Sequence, residues 1–470
     1  MLTKTSYMEF LRCPQEFWLQ TNSVQRTDED LTPHEKHLRE QGYDVQRLAQ
    51  KMSIFNGAAA GTVNFQRMFQ ADEIFTSADI VVTDNKTGEI SIYEVKSSAS
   101  VKPENIDDVA FQKMVAESLG FKVAKTFIIT VDTSYTRNGN IDPDKLLKIH
   151  DVTDEVITKQ AETITKTAEA FKYLEAEPVP NIAEYCDAKL DCSFIRHHFK
   201  DIPEYNVTHI SGLDKKKCRE LVEKGIIDIR HVPADYKLTE KQRQQVDIAC
   251  CDKPDFKSDN IKAELEPLKY PLNFLDYESF SYAVPHFHGI RPYQQMVFQY
   301  SLHTIGESGG EADHGFHLSK NDGAFPAREI ADSLYARLSP DLGTVVVWNA
   351  TFEKTRNREL GAMFPDLRDF FDAVNDAIVD LEKIFSARHY VHPKFLGKTS
   401  IKNVLPILCP DHSYKDLEIC DGTTAAIRWY HMATKRFGAA ECQKIYDDLC
   451  TYCHLDTLAM VKIYNVLSKL

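Results

Sequence analysis

The spacing of apolar residues changes character along the first part of the chain. Up to about Gly57 the apolar positions recur at helical intervals, with a long heptad-like stretch from His34 to Met52. From Thr62 to Val131 they fall into short β-branched and aromatic runs, which predict strands. An amphipathic stretch that ends at Gly120 predicts a helix before the last of these strands. Strand, hairpin, strand, helix and strand in this order predict an α/β core.

The later part of the chain has a second α/β pattern. Residues 205–250 predict short helices, and the acidic, proline-containing stretch Cys251 to Pro271 is typical of a linker. The strand LNFLDYESF follows, and further strands and helices continue to the end. We therefore predict three domains: an α/β domain at 1–200, a small helical connector at 201–260 and a second α/β domain at 261–470.

Composition narrows the functional classes. Hydrophobic residues make up 43% of the 470 residues and charged residues 27%, which is typical of a globular protein. The net charge of -14 argues against a non-specific nucleic-acid coat protein, which would be basic, but not against a nuclease. No apolar run is long enough for a bilayer, and the N-terminus lacks the apolar stretch of a signal peptide. We expect a cytoplasmic protein without membrane contact.

Four polar residues of the first α/β pattern form a candidate catalytic set. Asp79 lies in one predicted strand, and Glu94 and Lys96 lie two apart in the next, so alternation puts them on one face. Two neighbouring carboxylates favour a divalent cation. Lys96 could stabilise developing negative charge, and Gln112 on the following helix could hold substrate. The plainer alternative is an exposed hairpin with a surface Glu–Lys pair.

Five residues of the second α/β pattern form another candidate set. Asp276 and Glu278 are two apart on an apolar strand, so both carboxylates project to one face. Glu353 follows a later apolar strand, and Tyr452 and Asp456 share a helix face at i and i+4. Where a fold brings carboxylates from such elements together, they suit a pair of metal ions around a phosphate. The alternative is a structural α/β domain with scattered acids.

These motifs carry a family resemblance that spans nearly the whole chain. The chain resembles uncharacterised bacterial proteins that fuse a RecB-like PD-(D/E)XK nuclease to a ribonuclease H-like DEDD exonuclease domain. The stretches that support the resemblance are CPQEFWL, YEVKSSASVKPENIDDVAFQ, CSF, FLDYESF, PHFHGIRPYQQMVFQYSLH, NATFEKTR, SIKNVLP and YCHLDTLAM. The resemblance implies hydrolysis of DNA or RNA, with DNA favoured, and dependence on Mg2+ or Mn2+.

The resemblance also implies roles for particular residues. In the C-terminal domain Tyr452 would position the attacking water and Asp456 would bind metal, whereas Glu353 stands where the family pattern has Asp. Asp79, Glu94, Lys96 and Gln112 follow the RecB-like pattern without a substitution, so the sequence favours the N-terminal site as the active one. Glu35 or Glu40 is a candidate for the extra polar group that this branch often uses.

A cysteine set is implied by the same resemblance. RecB-like nucleases with an iron–sulfur cluster place one Cys far upstream and three just after the core, and this chain has Cys13, Cys186 and Cys192. His198 stands where a fourth Cys is expected. A 4Fe-4S cluster and a Cys3His zinc site are both compatible with these residues, and buried thiols without metal are the alternative.

Partners and alternatives complete the expectations. Lys215, Lys216 and Lys217 lie in a region that resembles a helix–hairpin–helix and could grip a nucleic-acid backbone, although a solvated charge run is the plainer interpretation. Lys402 is a candidate phosphate contact or a solvated lysine. The alternative to a nuclease is a nucleic-acid-binding protein, or a subunit that works with protein partners, in which one or both sites are inactive. The sequence does not fix the oligomeric state.

Overall fold

The chain is an α/β protein that divides into two compact units. Unit 1 comprises Met1–Pro180 and Ser281–Gln294, and unit 2 comprises Asn181–Phe280 and Gln295–Leu470. The computed structural model describes residues 1–22, 31–56, 61–175, 181–188, 190, 195, 199–319, 326–434 and 436–470. The predicted domain boundaries stay a prediction, since this division groups residues 181–280 with the C-terminal sheet. Among the helices within these ranges, none combines the length and apolar composition needed to cross a bilayer.

Unit 1 contains a mixed six-stranded sheet. Its strands are β1 (Leu2–Thr3), β2 (Thr62–Ala71), β3 (Ile74–Thr83), β4 (Ile90–Val95), β5 (Val123–Val131) and β6 (Leu147–Asp151). The order is β1-β3-β4-β5-β6, with β2 paired to β3. The β3–β4 hairpin is antiparallel and β4 runs parallel to β5. The predicted order of strand, hairpin, strand, helix and strand is therefore confirmed.

The β3 strand has an interrupted edge. β2 pairs with β3 over its whole length, so β1 and β4 must share the opposite edge. β1 pairs there only at Ile74 and Phe75, and β4 pairs only from Ile80 to Thr83. On this edge, residues 76–79 of β3 have no strand partner among the described residues. Asp79 lies in that gap.

Helices cover the unit 1 sheet. They are α1 (Lys4–Arg12), α2 (Pro14–Asn22), α3 (Pro33–Ala49), α4 (Pro103–Ser118), α5 (Pro143–Leu146) and α6 (Thr153–Glu175), with a 3-10 turn at Ser53–Phe55. Pro33 suits the first turn of α3, where a backbone N–H has no helical partner, and Thr32 and Glu35 form a capping box there. The rings of Tyr7 and Phe111 stack at 4.6 Å and pack α1 onto α4. This contact places the start of α1 beside the β3 gap.

Unit 2 contains a mixed five-stranded sheet and a small two-stranded one. Its strands are β7 (Asp255–Phe256), β8 (Leu272–Phe280), β9 (Met296–Ile305), β10 (Ala312–Leu318), β11 (Thr344–Val347), β12 (Ile378–Asp380) and β13 (Tyr390–Val391). The large sheet has the order β10-β9-β8-β11-β12, and β13 pairs with β7. β9 is antiparallel to both β8 and β10. β11 runs parallel to both β8 and β12. β8 is buried along most of its length, as expected for a central strand.

The helices of unit 2 include one element where a linker was expected. They are α7 (Lys215–Glu223), α8 (Glu240–Cys251), α9 (Ser258–Leu265), α10 (Ala327–Leu338), α11 (Ala350–Met363), α12 (Arg368–Ala377), α13 (Lys383–Ser386), α14 (Ile401–Leu408), α15 (Gly422–Ala433) and α16 (Ala439–Leu467), with 3-10 turns at Ile182–Ala188, Val207–His209, Ile229–His231, Pro365–Leu367 and Pro393–Phe395. The linker prediction for Cys251 to Pro271 is wrong. This stretch forms β7 and α9, and Ile261 of α9 is fully buried, so burial of an apolar side chain outweighs the polar composition.

Candidate active sites in the two units

The predicted N-terminal set converges on the carboxylate of Glu94 at the end of β4. Lys96 Nζ lies 2.8 Å from Glu94 Oε1, and Gln112 of α4 donates to Glu94 Oε2 at 2.7 Å. Val95, which lies between Glu94 and Lys96 in the sequence, is buried in the core, and this confirms the predicted alternation. A second lysine, Lys4 at the start of α1, donates to the same Oε1 at 2.8 Å.

Asp108 is a further carboxylate that the sequence interpretation missed. It lies one turn before Gln112 on α4, so i and i+4 side chains share a face, and it accepts from Gln112 at 2.9 Å. Lys4 and Lys96 both form ion pairs with it. We call Lys4, Asp79, Glu94, Lys96, Asp108 and Gln112 the unit 1 cluster. The i, i+4 spacing in DDVAFQ could have indicated Asp108, whereas nothing local indicated Lys4.

Asp79 occupies the gap along β3 and is held by hydrogen bonds. Its Oδ2 accepts from the backbone N–H of Val95 at 2.8 Å, so the side chain takes the place of a strand partner for β4. Gln66, which lies opposite in β2 with a left-handed φ of 51°, donates to Oδ1 at 3.0 Å, and Gln46 of α3 also donates to Oδ1. Burial and the nearby charge of Glu94 raise the pKa of Asp79 to about 6.

The polar group that α3 contributes to this cluster is Gln46. Glu35 caps the N-terminus of the same helix by accepting from the N–H of Thr32 at 2.8 Å, eleven positions before Gln46. Glu40 lies six positions before Gln46, which is about 9 Å along a helix axis. The expectation of Glu35 or Glu40 is therefore wrong, because neither occupies the helical turn that faces Asp79.

The two lysines control the ionisation of Glu94. Burial alone would raise the pKa of this carboxyl, but Lys96 and Lys4 outweigh burial and lower it to about 2. Burial would lower the pKa of Lys96, but Glu94 and Asp108 raise it above its ordinary value. Glu94 Oε1 accepts from both ammonium groups and Oε2 accepts from Gln112, so a cation that binds Oε1 would have to displace an ammonium group. Gln112 Oε1 is buried without a hydrogen-bond partner and offers a further oxygen ligand.

The predicted C-terminal set also converges, in unit 2. Asp276 and Glu278 project from β8, and Asp456 reaches them from α16. One ligand oxygen from each lies within 4.8 Å of the others, and we call these three residues the carboxylate cluster. Glu278 and Asp456 are buried. Carboxylate oxygens at this spacing are the ligands that Mg2+ and Mn2+ prefer, so the donor set fits either ion.

The carboxylate cluster carries more negative charge than its surroundings balance. Burial and the charge of Asp456 raise the pKa of Asp276 well above its ordinary value. Burial and the charge of Asp276 do the same to the pKa of Glu278, and burial raises the pKa of Asp456 to about 6. Lys402 is the cation whose charge acts on all three, and it lowers each pKa only in part.

Two tyrosines and Lys402 surround the cluster. Tyr414, which comes from a loop and was not predicted, donates to Asp456 Oδ1 at 2.6 Å. Tyr452 lies one turn before Asp456 on α16, and its hydroxyl lies 3.2 Å from Lys402 Nζ. The ammonium of Lys402 lies 5.5 Å from the ring centre of Tyr414 and 5.1 Å from that of Tyr452. Lys402 is thus held among site residues, which disfavours the solvated alternative.

Glu353 is buried near the cluster from the first turn of α11. Its exposed fraction is 1%, and burial followed by the charge of Asp276 raises its pKa well above the ordinary value. Glu353 Oε2 is buried without a hydrogen-bond partner. Asp380 at the end of β12 fixes the turn into α11 by accepting from the N–H groups of Asn349 and Ala350. Glu353 is therefore close enough to the cluster for the charge of Asp276 to act on its carboxyl group.

A glycine makes room for Glu278. Gly422 is the first residue of α15, and a Cβ built there would lie 3.3 Å from Glu278 Oε2. The N–H groups at a helix start carry partial positive charge, which favours a carboxylate. Cys453 on α16 also lies 4.0 Å from Asp276 Oδ2. Neither Gly422 nor Cys453 could be predicted, because both depend on how α15 and α16 pack against β8.

The predicted cysteine set lies mostly outside the described residues. Cys192 and His198 fall outside them, as does the side chain of Cys186. Cys13 ends α1 and is partly buried. The iron–sulfur or zinc assignment for this set stays a prediction.

Comparison with known families gives a match to a stretch that lies mostly in unit 2 and includes residues 281–294 of unit 1. A sequence family described as a domain of unknown function (DUF2779) matches residues 273–400, a stretch that includes Asp276, Glu278 and Glu353. No curated protein matches the chain. A solved structure titled "Crystal structure of SSO0001" is 11% identical over 41% of this chain and 85% of that chain, with a TM-score of 0.23. That score is too low to support an inference about fold or function.

Proposed function

We propose that this chain is a metal-dependent nuclease that hydrolyses phosphodiester bonds of DNA or RNA, with DNA favoured. The observation that carries the proposal is the carboxylate cluster. Three carboxylates meet within 4.8 Å. Burial raises the pKa of each, and repulsion between carboxylates raises those of Asp276 and Glu278 further. Such an arrangement is costly for a metal-free protein, and a divalent cation relieves the cost. Hydrolases that cut phosphodiesters use clusters of this kind.

The topology of unit 2 supports the same proposal. Three antiparallel strands continue into two parallel ones, with Asp276 and Glu278 on the central β8. This order and these directions are those expected of a ribonuclease H-like domain. Asp456 on the last helix supplies the carboxylate that such a site takes from outside the sheet. In unit 1, Asp79, Glu94, Lys96 and Gln112 have the relation expected of a RecB-like site.

In unit 2, different residues would bind the metal ion, bind the phosphate and orient a water. Asp276, Glu278 and Asp456 would hold Mg2+ or Mn2+, with Glu353 as a further ligand. When bound, such an ion polarises a phosphate and lowers the pKa of water. The ammonium of Lys402 can bind a phosphate oxygen at the edge of the cluster, because it is partly exposed. The hydroxyl of Tyr452 can orient a water, since it lies beside Lys402 and one turn from Asp456.

In the metal-free protein, the unit 1 cluster differs from the carboxylate cluster because its negative charges are balanced by lysines. Lys4 and Lys96 neutralise Glu94 and Asp108 in the metal-free protein. Binding of a cation by Asp79 and Glu94 would release a lysine toward the substrate phosphate. The sequence favours this site as the active one, whereas the balance of charge favours the carboxylate cluster as the stronger cation site. We therefore propose that both sites take part.

A cleavage assay tests the proposal. Full-length protein is incubated with end-labelled single- and double-stranded DNA and RNA, with Mg2+, with Mn2+ or with EDTA. The proposal predicts shortening of at least one substrate with a metal ion and none with EDTA. Failure to cut any substrate with either ion would contradict it. In that case binding of the same oligonucleotides would identify a nucleic-acid-binding protein instead.

A further inference from the structure

Three histidines of unit 2 meet outside the carboxylate cluster. His303 lies on β9, His314 on β10 and His454 on α16. Their ring centres are 4.4 Å apart for His303 and His314, 4.8 Å for His303 and His454, and 4.3 Å for His314 and His454. One nitrogen from each ring lies within 4.8 Å of the others. We call these three residues the histidine cluster.

Two hydroxyl side chains hold the outer nitrogens of the cluster. Thr457 Oγ1 lies 2.7 Å from His303 Nδ1, and Ser301 Oγ lies 2.9 Å from His314 Nε2. The two hydroxyls are themselves 2.7 Å apart, so they form one connected network. This leaves His303 Nε2 and His314 Nδ1 as the ring positions without a hydroxyl partner, and His314 Nδ1 faces Nδ1 of His454. Metal-ligating imidazoles are usually oriented in this way, by a hydrogen bond to the nitrogen that does not bind the ion.

The surroundings of two of the rings favour the neutral form that binds metals. Burial and the neighbouring imidazoles lower the pKa of His303 to about 3 and that of His314 to about 4. The charged groups that act on the rings are Asp313 and Arg337, and these two form an ion pair with each other. Neutral imidazole is the ligand form for transition metals.

The spacing of the nitrogens suits a tetrahedral ion. Nδ1 of His314 lies 3.3 Å from Nδ1 of His454. Two nitrogens bound at about 2.0–2.1 Å to a tetrahedral Zn2+ are roughly 3.3 Å apart. From this geometry we propose that His303, His314 and His454 form a binding site for a transition-metal ion such as Zn2+. His314 and His454 are only partly buried, so water can reach the fourth position.

The proposed site differs in chemistry from the carboxylate cluster. Imidazole selects Zn2+ and similar ions, whereas carboxylates select Mg2+ and Mn2+. His454 lies on α16 between Tyr452 and Asp456, so an ion at the histidine cluster would tie this part of the helix to β9 and β10. The site would therefore fix the position of Asp456, independently of whether the chain cuts nucleic acid.

Cobalt binding tests the proposal directly. Full-length protein is stripped of metal and titrated with Co2+, while visible absorption and displacement by Zn2+ are followed. The expected result is the intense visible band of a tetrahedral nitrogen site, lost on addition of Zn2+. His314→Ala and His454→Gln should each weaken binding by about tenfold or more. His317→Ala, a change on the same strand outside the cluster, and Asp276→Asn should leave the band unchanged.

Three results would overturn the assignment. The first is wild-type protein that gives no tetrahedral Co2+ band. The second is a band that persists in both histidine variants, and the third is a band with strong near-ultraviolet thiolate absorption, which would place the ion on cysteines. Thermal unfolding of the metal-free variants checks folding. Because His314 and His454 are partly exposed, at least one variant should fold, and that variant decides the outcome.

Discussion

The hydroxyl of Tyr414 donates a hydrogen bond of 2.6 Å to Oδ1 of Asp456. One oxygen of this buried carboxylate is thereby fixed by the protein. Its neighbours Asp276 and Glu278 present their own oxygens within 4.8 Å. The loop residue Tyr414 thus orients the carboxylate of Asp456 on α16 beside the two carboxylates of β8. Metal ligands need to be held in position in this way.

The stability of the metal-free chain should depend on pH through Asp456. The pKa of Asp456 is raised to about 6 in the folded chain, from about 4 when unfolded. Its neutral form is therefore favoured by folding. That stability is fully present below about pH 4 and is lost as the pH rises through about 6. Asp456→Asn, which can still accept from Tyr414, should stabilise the EDTA-treated chain by roughly 2 kcal/mol at pH 8 and by much less at pH 4.

Thermal unfolding in EDTA at pH 4 and pH 8 measures this effect. Asp411→Asn, in an exposed part of a loop, is the matched control and should change neither midpoint. If Asp456→Asn destabilised the chain at pH 8, burial of the charged Asp456 carboxylate would not cost stability in the metal-free chain.

Gly422→Ala should separate metal binding from stability. A Cβ at this position would lie 3.3 Å from Glu278 Oε2, so the carboxylate must move. Alanine in the first turn of a helix would otherwise stabilise the chain by about 0.4–1 kcal/mol. We expect Mn2+ binding to weaken by about tenfold while the unfolding midpoint is kept. Gly42→Ala in α3, where no atom lies within 4 Å of the new Cβ, is the control, and equal Mn2+ affinity in both variants would argue against a role for Gly422.

Lys4 should contribute to the stability of the unit 1 cluster, although no local pattern predicted this contact. Lys4→Ala removes one of the two ammonium groups that lower the pKa of Glu94 to about 2. The lowered pKa of Glu94 contributes stability that is present above about pH 4.5 and lost as the pH falls toward 2. We expect a loss of roughly 1–2 kcal/mol at pH 7, because the pair is largely buried. The loss should shrink through this acidic window, as followed by urea unfolding.

Lys125→Ala is the control for Lys4. Lys125 pairs with Asp151 at 2.9 Å, but both side chains are about half exposed, so the pair contributes little. If Lys4→Ala and Lys125→Ala lowered the free energy of unfolding equally, the buried contacts of Lys4 would contribute no more stability than an exposed ion pair.

Glu353→Gln should lower activity without lowering stability. Burial raises the pKa of Glu353 well above its ordinary value and so disfavours its charged form, and glutamine is an uncharged side chain of nearly the same volume. As a metal ligand Glu353 must ionise, which glutamine cannot do. We expect about a tenfold fall in Mn2+-dependent cleavage at an unchanged unfolding midpoint. Full activity of Glu353→Gln would assign Glu353 a packing role only.

The sequence predicted the residues whose relation is local. Glu94 and Lys96 share a face because strands alternate, and Tyr452 and Asp456 share one because helices repeat. The expected elements of unit 1 are confirmed for the same reason. Asp276 and Asp456, by contrast, lie far apart in the sequence. Only the family resemblance predicted that they belong to one site.

Residues that enter a site from distant elements could not be predicted. Lys4 reaches Glu94 because α1 packs on α4, and Tyr414 reaches Asp456 from a loop with no regular pattern. The histidine cluster draws on β9, β10 and α16, so no spacing in the sequence indicates it. The expectation for Glu35 and Glu40 was wrong because different turns of α3 contact different parts of the fold. The turn that contacts Asp79 carries Gln46.

The most direct measurement compares cleavage of end-labelled single-stranded DNA in Mn2+ by four full-length proteins. These are the wild type, Lys96→Ala, Asp276→Asn and the double variant. Two metal-dependent sites predict that each single variant loses one set of products and that the double variant is slower than wild type by about 100-fold or more. A double variant that cuts at the wild-type rate would contradict the proposal that either cluster is a nuclease site.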